Sequence, residues 1–199
     1  MKPKAKYLRF TEEDNALDYL EKAAFFIRQT EKDKKSWKWV VLTLHSALYA
    51  FAICAIQGTN PDRVTYETKR GGVRLIHFDE ALKRCQDSKW IGQYVHSRTL
   101  SLTDDQKWSI NKLKKSFRNQ FEHYQPLLWS IEIHGFPKIT MDVLDVIRFL
   151  AIDCGNVYHL SHSKIRKIKS YIFQSKKFLK STTLYKESLI ADAAARSKK

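Results

Sequence analysis

A chain of 199 residues, 43% hydrophobic and 13% aromatic, is long enough to bury one core without disulfide staples. Only 6 Gly and 4 Pro exclude a turn-rich sandwich, a collagen-like repeat and a low-complexity linker. The 36 Lys+Arg against 21 Asp+Glu leave +15, which favours a polyanionic partner because each neutralised phosphate releases counterions. Charge alone does not choose among RNA, DNA and an acidic protein.

The amino-terminal MKPKAKYLRFTEED is basic at first but has no apolar core of the kind a secretion signal needs, so the cytoplasm is the expected location. Thr11 is placed to cap a first helix, with Asp14 three residues on and Glu12 and Glu13 complementing the dipole. Leu17, Leu20, Ala24 and Ile27 then mark one buried face. Ser36 is the expected cap of a second helix, which runs to Gly58 and Asn60-Pro61. Its 18-residue stretch Trp39 to Ile56 carries Thr43, His45 and Ser46 and falls short of the roughly 20 apolar residues of a membrane span. A buried helix is expected there, with no membrane partner. Being apolar on nearly every side, it needs cover from its own domain or from a second subunit.

Between residues 64 and 76, Val64, Tyr66, Val73 and Leu75 alternate with polar residues around Lys69-Arg70-Gly71-Gly72, which permits a short β-hairpin or an ordered basic loop. Phe78, Ala81, Leu82 and Cys85 return to helical spacing, and Ser88 to Leu102 reads as mostly irregular. Thr103 and Gln106 form a capping box for a helix with Ile110, Leu113, Phe117 and Phe121 inside. Lys107, Lys112, Lys114, Lys115 and Arg118 flank it, and Pro126 should end it near Tyr124. Thr140 is expected to open a helix with Leu144, Ile147, Ala151, Cys154 and Tyr158 on one face. A basic helix should follow from about Ser163 to Lys180, with Ile165, Ile168, Ile172 and Leu179 inside. The whole reads as an all-α, up-and-down bundle of about five to seven helices with a short hairpin insertion. Residues 1–180 form one domain, and 181–199 a basic helix or a flexible tail. Cys54, Cys85 and Cys154 contain no CxxC pair, which argues against zinc ribbons and thioredoxin-like sites and suits reduced core thiols.

The chemically informative segment is Lys114-Lys115-Ser116-Phe117-Arg118-Asn119-Gln120-Phe121-Glu122-His123-Tyr124. Arg offers a planar, permanently charged fork for phosphate oxygens, and His exchanges a proton near neutrality. Together they suffice to cut RNA without metal: the 2′-hydroxyl loses its proton, attacks its own phosphate, and a cation stabilises the dianion. Arg118-Asn119-x-x-x-His123 resembles the R-N-x(3)-H form of the HEPN superfamily motif, R-x(4–6)-H, set late in a helix of a small helical domain. That resemblance implies a helical bundle that dimerises and brings two motif copies into one cleft, in families of metal-independent endoribonucleases and of non-cutting nucleotide binders. Carried over, Arg118 would stabilise the phosphate, His123 would be the acid/base and Asn119 would orient the pair. Gln125 stands where some toxin members carry a tyrosine. Lys107, Lys114, Lys115 and Tyr124 are the expected nucleic-acid contacts, with no cofactor and no metal. Arg70 to His77 fits R-x(6)-H as well but crosses the Gly71-Gly72 pair, outside any helical pattern.

Blander readings accompany these. On an uninterrupted α-helix five positions set two side chains about 140° apart. Arg118 would then pair with Asp104, Asp105 or Glu122 on a solvated face, and His123 would bond a helix-end carbonyl. Trp108, Tyr124, Trp129 and Phe136 are candidates for base stacking, although aromatics at helical spacing more often belong to the core. His159 and His162 lack a third metal ligand. Three functions follow in order: a homodimeric endoribonuclease; a non-catalytic RNA- or nucleotide-binding module; and an interaction domain from a toxin–antitoxin pair, partnered by a nucleotidyltransferase-like antitoxin.

Overall fold

The computed structural model describes residues 6–123, 130–157 and 160–196, with side chains through Leu189. Within it the chain is an all-α bundle carrying one two-stranded hairpin. Helix α1 spans Glu12–Gln29, capped as expected: the Asp14 amide donates to Thr11 Oγ1 at 3.1 Å. Its buried face, Ala16, Leu17, Leu20, Ala23, Ala24 and Ile27, packs along α2 (Ser36–Gln57). Ser36 does not cap α2. It is the first helical residue and is buried, and Asp33 Oδ1 accepts from the Lys35 amide in the preceding turn.

Helix α2 is the centre of the molecule. Fourteen of its residues are buried, and α1, α3 (Phe78–Cys85), α7 (Phe136–Arg148) and two π-helical stretches close around it. It is long and apolar enough to cross a membrane, but its own domain covers it, so no second subunit is needed for that purpose. Gly58 ends it at φ +53°, with the Gln93 side chain occupying the space a Cβ would need.

The hairpin pairs β1 (Thr65–Glu67) with β2 (Val73–Leu75) in antiparallel register, Tyr66 opposite Arg74. The second Arg-to-His match therefore falls on a β-turn, with His77 at the N-cap of α3. Only the short α4 (Ser88–Ile91) interrupts the irregular stretch up to Leu102. Buried Asn156 ties that stretch down: its amide donates to the carbonyls of Ala55 (3.0 Å) and Ile91, and its Oδ1 accepts from Ser97 at 2.6 Å.

Thr103 and Gln106 form both halves of the capping box, at 3.2 and 3.0 Å, opening a continuous helical rod. It consists of α5 (Asp104–Asn111), a π-helical segment (Lys112–Arg118) and α6 (Asn119–Glu122). The following helix starts earlier than Thr140. α7 begins at Phe136 with Pro137 in its first turn and continues as a π segment, Phe149–Asp153, while Thr140 is buried inside it. Phe136 is not available to bases: it is 2% exposed, stacked on Trp37 at 5.0 Å and packed on Phe117 at 4.6 Å. α8 (His162–Ser181) buries Ile168, Ile172, Ser175 and Leu179. It is pinned by Lys164–Asp14 and Lys176–Asp145, both at 2.6 Å, and the Lys164 ammonium holds the Asp14 carboxyl below its usual pKa. After a bend at Thr182 the segment expected to be a helix or tail is helix α9 (Thr183–Arg196), and Leu184 packs on the core.

All three thiols are free and buried, and burial pushes Cys54 up to about 12 and Cys85 and Cys154 upward. Because Phe136 joins α2, the 104–122 rod and α7 through two ring contacts, Phe136→Ala should destabilise the fold by about 3–5 kcal/mol, read as a lower urea midpoint at unchanged helical circular dichroism.

Candidate functional site

The π-helical segment Lys112–Arg118 widens the rod by one residue immediately before the Arg-Asn pair, a distortion that recurs at functional sites. The rod's apolar residues Ile110, Leu113 and Phe117 go into the core, and Lys114 and Arg118 lie on a flank above α2. Arg118 Nη1 donates to Asn119 Oδ1 at 3.0 Å, so Asn119 orients the guanidinium. Arg118 Nη2 also pairs with Glu122 at 2.5 Å, with 29% of the Arg118 side chain exposed. Of the three carboxylates expected as alternatives, Glu122 is the one taken. The Arg118 Nε is buried and has no hydrogen-bond partner among the described residues.

Beneath this guanidinium stands a residue the sequence reading did not assign to the site. His45 on α2 is 8% exposed, its ring stacked on Phe78 at 4.4 Å, and its Nε2 is buried without a partner. Burial first, then the charges of Arg118 and Lys114, depress its pKa to about 4, with Asp79 opposing. The imidazole is therefore neutral at pH 7 and its Nε2 can accept or donate one hydrogen bond, according to tautomer. Two of the three unpaired buried side-chain atoms among the described residues, His45 Nε2 and Arg118 Nε, belong to this one cluster; the third, Ser175 Oγ, is on α8. Buried polar groups normally find partners, so two such atoms beside an orienting amide make this cluster the candidate site among the described residues.

The remaining candidates divide. His123 sits at the carboxy end of α6, where the helix stops (φ −110°, ψ 53°), exposed, its amide donating to Asn119 O at 2.9 Å. No hydrogen bond joins His123 to Arg118 within the described residues of one chain; Glu122 occupies that side of the guanidinium. Lys114 stays with the cluster, paired with Asp79 and 5.9 Å above the Phe78 ring. Lys115 points into another groove, of about 700 Å³, shared with Trp108, Gln120, His134 and Lys138. Lys107 makes a solvated pair with Asp104 at 3.0 Å. Lys107, Lys114 and Lys115 are therefore placed in three different surroundings, and Tyr124, like Trp129, Tyr158 and His159, lies outside the described residues. Among the described residues no three His, Cys, Asp or Glu side chains gather as a metal-holding group.

The signal that would have found His45 is the one histidine in the middle of a largely apolar helix. In sequence it reads as a break in hydropathy; in space it is the floor of the cluster. Comparison with family models, curated proteins and solved structures finds no match for the chain.

The sign of the pH effect is set by His45. Its folded pKa lies below the ordinary 6.5, so between pH 6.5 and 4 the unfolded chain binds a proton that the native chain refuses. This contribution to stability is complete above pH 6.5 and declines as pH falls to about 4. Between pH 7 and 5 it should remove about 2 kcal/mol, a loss that His45→Gln abolishes in paired urea titrations.

Proposed function

We propose that this chain is a HEPN-type, metal-independent endoribonuclease that works as a homodimer, with two copies of Arg118 and His123 lining one cleft. The observation that carries the reading is the cluster around Arg118: Asn119 aims the guanidinium, its Nε is buried and unpaired among the described residues, and its charge reaches neutral His45, whose buried Nε2 is likewise unpaired among the described residues. In this reading the 2′-oxygen of RNA loses its proton to one His123 and forms a bond to its own phosphorus. The bond to the 5′-oxygen breaks, and that oxygen takes a proton from the second His123, leaving a 2′,3′-cyclic phosphate and a 5′-hydroxyl. Arg118 stabilises the dianion at the moment its charge develops, after a phosphate oxygen displaces Glu122. His45 receives a hydrogen bond or gives one at the base of the site without adding charge. In the dimer each arginine meets the histidine of the other copy, so the site does not depend on a hydrogen bond between Arg118 and His123 of one chain.

One observation favours a second reading, a non-catalytic RNA- or nucleotide-binding module: Arg118 is already ion-paired with Glu122, and His123 stands apart from it. Such a module binds in a salt-dependent way and yields no cyclic phosphate.

The test is a ribonuclease assay on a labelled single-stranded RNA with and without EDTA. Cleavage to cyclic-phosphate ends is expected to survive chelation and to fall by about 10²–10⁴ in His123→Ala. Mixing Arg118→Ala chains with His123→Ala chains should not restore the lost rate, because the mixed dimer keeps only one of the two His123 side chains that the mechanism uses. Cleavage abolished by EDTA, or undiminished in His123→Ala, overturns the mechanism; binding without cleavage selects the module.

A further inference from the structure

The seam between α7 and α8 carries chemistry that the Arg118 cluster does not use. A groove of about 630 Å³ runs along it, walled by five cations, Arg148, Lys169, Lys176, Lys177 and Lys180, against one carboxylate, Asp145. Lys176 already consumes that carboxylate, with contacts at 2.6 and 2.7 Å, and Arg148 faces Asp153 at 3.5 Å. Lys169, Lys177 and Lys180 are exposed, and none has a carboxylate partner among the described residues. The sequence of α8 contains seven Lys and Arg and no Asp or Glu, so nothing within the helix offsets them. Lys176 and Lys180, four positions apart, repel each other, an arrangement that works against the helix rather than for it.

The second observation is Phe173. It lies in the same groove, one turn from Lys169 on one side and from Lys177 on the other, with its ring 68% exposed. The buried stripe of α8 passes through Ile168, Ile172, Ser175 and Leu179, so packing makes no use of Phe173. An aromatic face between cations at successive helical turns is the arrangement that single-stranded nucleic acid recognises: ammonium groups take phosphates, and an unpaired base stacks on the ring. A duplex would engage the cations and leave the ring idle, because its bases are already stacked. An acidic polypeptide would likewise satisfy the charges without calling for a planar ring.

We propose that the α7–α8 groove binds single-stranded nucleic acid, with phosphates on Lys169, Lys177 and Lys180 and a base stacked on Phe173. This site is separate from the proposed cleavage site and stands whether or not the chain cuts RNA.

The test uses a ligand that 2′-hydroxyl attack cannot cleave, a fluorescein-labelled oligo(dT) of about 16 nucleotides, the upper site size for such grooves, followed by anisotropy across a salt series. The triple variant Lys169→Gln/Lys177→Gln/Lys180→Gln should lower the magnitude of the salt slope by about 2, at roughly 0.7 per lost phosphate contact. Phe173→Ala, at an exposed position, should weaken binding about tenfold with the slope unchanged. The same pair of losses is expected in an Arg118→Ala background, which separates this groove from the cleavage site. Unchanged affinity and slope in the triple variant, or no effect of Phe173→Ala, overturns the proposal. Displacement of the oligonucleotide by polyglutamate at equal charge concentration also overturns it, in favour of an acidic protein partner.

Discussion

Enclosure of α2 is the constraint from which the rest of the structure follows. A helix apolar around its whole circumference must be covered on all sides, and here the cover comes from α1, α3, α7 and the two π segments. Such a helix has little room for polarity, yet its middle carries an imidazole, with Phe78 stacked on one face of the ring. Burying that group in the neutral form is tolerable, whereas burying it charged beneath two cations is not. The core thereby fixes a neutral imidazole within reach of the Arg118 charge, its Nε2 unpaired among the described residues.

The rod crossing above it solves a geometric difficulty in an unexpected way. A regular helix would carry Lys114 and Arg118 steadily around its circumference. The π-helical segment inserts an extra residue per turn just before Asn119, and the rod stops four residues after Arg118. Glu122, one α-turn after Arg118, closes the flank with an ion pair that leaves the guanidinium only 29% exposed. In this state the arginine is aimed by Asn119 and held by Glu122, with no hydrogen bond to His123 among the described residues. The contact that a phosphodiester-cleaving site requires would be made between copies, or after Glu122 is displaced.

The +15 charge is distributed unevenly. Carboxylates neutralise it locally at the Lys164–Asp14 and Lys176–Asp145 junctions between helices, where ion pairs align packed elements. On the outer face of α8 it is left uncompensated around an exposed ring. A soluble helix gains little from such crowding, so the surplus there is better understood as binding surface than as solvation.

Much of the fold was legible in the chain because local chemistry repeats at helical or strand period. The Thr11 cap, the Thr103–Gln106 capping box, the hairpin around Gly71-Gly72 and the buried stripes of α1 and α8 all follow from residues within a few positions of one another. The helix expected from Thr140 begins four residues earlier because Phe136-Pro137 supplies its first turn, which makes Thr140 a buried interior residue. The Arg118–Asn119 contact was readable because the two are neighbours in sequence.

What tertiary structure alone decided is which distant groups share one space. Lys114 and Lys115 are adjacent in the chain, yet a rotation of about 100° per residue sends one to Asp79 and the other into a different groove. His45 and Arg118 are 73 positions apart (118 minus 45) and meet only because the rod packs across α2. Sequence periodicity determines which face of each helix is apolar; it does not determine which polar groups those faces bring together when helices cross. That depends on packing angles and on a one-residue π insertion for which the amino-acid pattern carries no local signal.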